Sequence, residues 1–143
     1  MTSTDLKNLV RINQLKVEPP TAGEVANLQR SGETRLADAT NPSLSLESRF
    51  DLAYSAAHAL ARAALRRLGY RPKSRYIVFQ VLPHTLGLPP AIWRVLAKGH
   101  ESRNLAEYEG SLDIDEGLVA DIIDAAKRVQ AALRAAGPAQ GAP

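Results

Sequence analysis

The chain has 143 residues, 45% of them apolar, with 18 basic and 15 acidic side chains for a net charge of +3. That length suits one domain with a real core, and the apolar share excludes wholesale disorder. With no cysteine, disulfides and thiolate metal sites are excluded, and a cytoplasmic setting is the natural expectation. Alanine, leucine and arginine prevail over β-branched and aromatic residues, which favours helix over strand.

In chain order, a first helix is expected from Ser3 or Thr4, with Leu6, Leu9, Val10 and Ile12 on one side, ended by Pro19-Pro20. The N-terminal residues show no basic start followed by an apolar run, so no secretory signal is expected. Thr21 and Glu24 form a capping-box pattern for a second helix, weakened in its middle by Ser31-Gly32 and closed by Asn41-Pro42. Leu46, Phe50, Ala53, Ala57, Leu60, Ala64 and Leu68 then recur at gaps of 3 and 4, the stripe of a long amphipathic third helix. Ser43 or Ser45 is suited to cap it and Gly69 to end it, and Tyr70-Arg71-Pro72 turns the chain.

From Tyr76 to Trp93, 18 residues carry no formal charge, but Pro83, Pro89 and Pro90 exclude a spanning helix, and no membrane partner is expected. The stretch reads as a short fourth helix, Ser74 to about Leu82, ending near Pro83. A fifth helix then opens at Pro89-Pro90, runs to about Tyr108 and stops at Gly110. Asp113 and Glu116 form a capping pattern for a sixth helix carrying Val119, Ile122, Ala126, Val129 and Leu133. The tail from Gly137 is too rich in Gly, Pro and Ala to bury anything and reads as disordered. The expectation is an all-α, up-and-down bundle of five to six helices: an N-terminal helical extension (1–42), the bundle (43–136) and a tail (137–143).

Two features bear on function. Residues 51–75 carry six cations (Arg62, Arg66, Arg67, Arg71, Lys73 and Arg75) against Asp51 alone, a patch able to attract phosphates or, more plainly, a solvated helix end. On the fifth helix, Trp93, Leu96, His100, Arg103 and Glu107 share one stripe at gaps of 3 and 4. With Asn104 and Tyr108, three of them, His100, Arg103 and Glu107, form a polar facet within roughly a 140° arc. Arg103 is suited to bind an anion bidentately, His100 to exchange protons and Tyr108 to stack or donate. The plain alternative is an Arg103–Glu107 pair on a solvated face. The opposite side, Val95, Gly99, Ser102 and Ala106, suits helix packing. His58, amid alanines, reads as an interface histidine; no histidine–carboxylate spacing makes a metal site, and no cofactor is implied.

Ala53-Tyr54-Ser55-Ala56-Ala57-His58-Ala59-Leu60 with Leu68-Gly69-Tyr70-Arg71-Pro72, and Arg103-Asn104 with Tyr108, together resemble the HEPN superfamily of small helical bundles over roughly residues 45–135. The first block is similar to the family's long core helix and its exit, the second to its Arg-x4–6-His motif. In active members, the resemblance implies, arginine and histidine from two protomers cleave RNA without metal. Here Tyr108 stands where histidine is usual, and a phenol of pKa about 10 is a poor base at neutral pH. The resemblance therefore implies a homodimer that binds RNA or a nucleotide through Arg103, Asn104, Glu107 and Tyr108, aided by Arg66, Arg67, Arg71, Lys73 and Arg75, with little or no cleavage. Two alternatives stand beside it: a toxin-like, metal-independent ribonuclease using Arg103 with Tyr108 or His100, and a protein-interaction module without nucleic acid.

Overall fold

The computed structural model describes residues 2–109 and 114–137, except the side chains of residues 2, 3 and 107–109. Seven helices appear among them: α1 (Thr2–Arg11), α2 (Glu24–Ala39), α3 (Leu46–Arg66), the short α4 (Ile77–Gln80) and α5 (Leu82–Thr85), α6 (Pro90–Glu109) and α7 (Glu116–Ala136). The fold is an all-α bundle, centred on α3 with α2 and α7 alongside it, and α6 laid across α7 and α4. No described helix is long and apolar enough to cross a membrane.

The third-helix stripe becomes the centre of the core. Phe50, Ala53, Ala57, Leu60 and Ala64 are all fully buried, joined by Val119, Ile122, Ala126, Val129 and Leu133 of α7. Ser45 caps α3 by accepting from Ser48 N at 3.1 Å. Asp115, not Asp113, caps α7, accepting from Leu118 N at 2.8 Å; Asp113 lies outside the described residues. Alanines on α3 let its neighbours come close. A Cβ on Gly32 of α2 would stand 2.7 Å from Leu60 Cγ and 3.2 Å from Ala56 O, so the residue that lowers helix propensity is the one that lets α2 seat on α3. The N-terminal segment shares this core through Leu6, Leu15, Leu36 and Ala39, and packing is continuous across residues 42 and 43.

Two local expectations change. Thr21 does not cap α2: its N-cap is Gly23, with φ of +81° and no side-chain bond. Glu24 does accept from Thr21 N at 3.0 Å, but its carboxylate is mainly committed to Arg66. The expected turn at Tyr70-Arg71-Pro72 is instead a short strand, β2, paired antiparallel with β1 (Leu15–Val17) in the register Leu15–Pro72, Lys16–Arg71 and Val17–Tyr70. Gly69, at φ of +87°, makes the reversal from α3 into β2. Pro83 does not end the fourth helix; it lies in the first turn of α5, where proline is tolerated.

Arg66, the last residue of α3, is fully buried. Its guanidinium bonds Glu24 through Nε (2.7 Å) and Nη2 (3.0 Å), and donates to the carbonyls of Glu18 (2.7 Å), Tyr70 (3.1 Å) and Pro19 (3.3 Å). All five N–H groups are thereby used. These bonds hold Glu24 well below the usual carboxylate range, at about 2.

Arg66→Met strands a half-buried carboxylate and three carbonyls, so chemical denaturation should register a loss of about 2–4 kcal/mol. Because the Glu24 pKa is depressed in the fold, its contribution is complete above pH 4.5 and is lost as pH falls toward 2. That part of the acid dependence should disappear in Glu24→Gln. Gly32→Val overpacks the α2–α3 contact and should cost about 1–3 kcal/mol in the same assay.

Candidate nucleic-acid interface

The polar facet of α6 is divided by its surroundings. Gly99 faces inward, where a Cβ would meet Ile122 Cδ1 at 2.8 Å and Tyr54 Cδ1 at 3.7 Å. That close approach sets α6 against both α7 and α3 and puts His100 beside the buried Tyr54. Tyr54 Oη and His100 Nδ1 are 2.9 Å apart, and Asn104 Nδ2 lies 3.2 Å from His100 Nε2. With the Asn104 amide donating to Nε2, the imidazole carries its proton on Nδ1 and donates it to Tyr54. Both ring nitrogens are thus engaged within the protein.

Arg103 turns to the other side of Tyr54. Its Nη1 is 3.3 Å from Asp51 Oδ1, and its Cζ lies 5.2 Å from the Tyr54 ring centroid. The plain Arg–carboxylate pairing therefore occurs across helices, with Asp51 of α3. The expected five-residue facet resolves into His100 and Asn104 on one side and Arg103 on the other. Glu107 and Tyr108 belong to the last turn of α6 by backbone, but their side chains lie outside the described residues.

On the His100 side is an open cleft of about 580 Å³ lined by Tyr76, Trp93, Arg94, Lys98, His100 and Asn104, with Ala97 and Glu101. Tyr76 and Trp93 meet edge to face, centroids 6.5 Å apart at 88°, and Tyr76 lies 5.4 Å from the His100 ring. Tyr76, Arg94 and Lys98 were not among the sequence candidates. Arg94 and Lys98 are one turn apart on α6, a signal available in the sequence; Tyr76 was hidden in a segment that reads as core.

The basic patch is also re-sorted. Arg66 is interior and leaves the exposed patch for the reason given above. Arg71 is paired with Glu18, which the surrounding cations hold below the normal carboxylate range. Arg67 donates to Thr85 O at 3.1 Å and is partly buried. Lys73 and Arg75 are exposed, and among the described residues they and the half-buried Arg62 have no ion-pair partner. Arg75 immediately precedes Tyr76, a cleft residue, in the chain, but none of the three lines the cleft itself.

His58 joins the two regions from below. It is nine-tenths buried, packed between Tyr54 and Phe79. Burial, then the charges of Arg75, Arg62, His100 and Arg103, pull its pKa down to about 4. The imidazole is a core group where α3 meets α4, within reach of the charges of Arg75, Arg62, His100 and Arg103. Among the described residues no group of three or more His, Asp or Glu side chains is placed to hold a metal.

Comparison with protein-family models, curated proteins and solved structures gives no match for the chain.

Because His58 is held neutral, the unfolded chain binds more protons than the fold between pH 6.5 and about 4. Stability should fall across that window as pH is lowered. Urea denaturation at a series of pH values should show the slope, and His58→Phe should flatten it.

Proposed function

We propose that this chain is a non-standard HEPN-like protein that binds RNA or a nucleotide at the α6 cleft, with little or no cleavage. The observation that carries this reading is the lining of the α6 cleft, where Tyr76 and Trp93 stand with Arg94 and Lys98, and Arg75 precedes Tyr76 in the chain. It puts cations without carboxylate partners among the described residues beside aromatic rings at a polar surface. Cations track phosphates and rings stack on bases, the two elements of single-strand recognition. The same geometry supports binding over catalysis. His100 Nε2, the nitrogen that would take a proton, already accepts from Asn104, and Arg103 is occupied by Asp51.

The test is labelled single-stranded RNA incubated with the protein in EDTA. Binding without cleavage is expected, weakening with salt. Arg75→Glu should lower affinity roughly tenfold and reduce the salt slope by about 0.7. Cleavage by the wild type that Arg103→Ala abolishes would establish the ribonuclease reading instead, and absence of binding would reject the proposal.

Self-association is a second reading, favoured by Leu105, 54% exposed on α6 between Asn104 and the final turn of the helix. Light scattering should give a dimer mass for the wild type and a monomer mass for Leu105→Lys. A monomeric wild type would exclude it.

A further inference from the structure

The Tyr76–Trp93 corner has a shape more specific than a generic basic surface. Tyr76 is held by its own short helix. The three residues after it, Ile77, Val78 and Phe79, are all buried, so the chain is anchored under Tyr76 and leaves its half-buried ring at the surface. Trp93 is likewise half-buried, in the first turn of α6. Their rings stand at 88° with centroids 6.5 Å apart, forming two perpendicular walls. A planar ligand entering the corner stacks on one wall and meets the other at its edge, both favourable aromatic geometries.

The cleft holds few other apolar groups. Apart from Ala97, the rest of its lining is Arg94 and Lys98, both exposed and one helical turn apart, the half-buried His100, and the exposed Glu101 and Asn104. The Arg94 guanidinium rests over Trp93, 5.9 Å from the ring centroid. It is thus already drawn to the position a cation takes beside a stacked base. Arg75, exposed, is the neighbour of Tyr76 in the chain. A cleft of about 580 Å³ is within the size range of small-molecule sites. Flat aromatic walls, side-chain acceptors and donors, and two cations in one lining fit one chemistry.

We infer that the Tyr76–Trp93 corner is a slot for a single unpaired nucleobase, with its flanking phosphates met by Arg94 and Lys98 of the same cleft. The inference rests on the nucleic-acid reading above and narrows it. The ligand class is an unpaired nucleoside phosphate, free or within a single strand, and not a duplex. Paired bases are stacked on one another and cannot enter such a corner without being flipped out, at a cost of a few kcal/mol.

Trp93 is the only tryptophan in the chain, so its fluorescence reports on the slot alone. The protein is titrated with a ten-residue oligoadenylate, with the same strand annealed to its complement, and with AMP; anisotropy of labelled strands measures binding independently. Saturable quenching by the single strand is expected, with the duplex at least tenfold weaker. Trp93→Leu should weaken single-strand binding roughly tenfold. Tyr76→Leu, which keeps the reporter, should do the same and cut the quenching, with helical circular dichroism unchanged in the variant used. Quenching by AMP but not by the oligomer would support the slot and assign it to free nucleotides. Single-strand binding with no quenching and no loss in either variant would overturn the slot while leaving RNA binding standing, as would equal affinity for the duplex. No binding of any of the three probes would overturn both.

Discussion

The structure depends on one buried cation. Arg66 sits at the end of the central helix with no solvent contact, where an isolated guanidinium would be untenable. It is tolerated because five donors meet five bonds: two to Glu24 and three to backbone carbonyls on either side of the chain reversal. Those partners come from the β1–α2 connection and from β2, so one side chain fixes the N-terminal segment and the exit of α3 together. The β1–β2 ribbon follows from that fixation. Three residue pairs would not hold a ribbon on their own, but here its ends are tied and Glu18 neutralises Arg71 and Lys16 across it. The exit so placed leads into Lys73, Arg75 and Tyr76, the last of them a cleft residue.

A second organising element is Tyr54. Its ring contacts Phe50, His58, Phe79 and His100, Arg103 lies over it, and its hydroxyl meets His100. A single buried side chain thereby links the core to the polar residues of α6, which are oriented by aromatic packing beneath them. Phe79 shares that packing and lies in the same short helix that anchors Tyr76. The position of the surface ring and the orientation of the imidazole accordingly derive from one buried group.

What could be read from the sequence was periodic or local. The stripes of α3 and α7, the Ser45 cap and the proline opening α6 are set within a few residues, and each appears where local rules put it. Gly99 on the packing side of α6 was legible for the same reason. What escaped depends on partners distant in the chain. Nothing near Arg66 distinguishes it from Arg67 or Arg71; only Glu24, 42 residues earlier, makes it interior. The capping-box pattern was misleading because the same carboxylate had a stronger partner. His58 and Tyr76 were obscure because a polar group in an aromatic layer looks, in one dimension, like any other helix residue. The pairing of Arg103 with Asp51, across 52 positions, likewise has no local trace.

Gly32 and Arg66 together bear on the modularity of the chain. One lets α2 touch α3, and the other makes α3 unable to end cleanly without the segment before α2. A bundle beginning at residue 43 would expose the groove in which α2 lies and leave four of the five guanidinium N–H groups without their partners, only the bond to Tyr70 O remaining. The N-terminal 42 residues and Arg66 are in this sense one physical unit, and a graft of the cleft onto a smaller scaffold keeps its α3 exit only if it carries both.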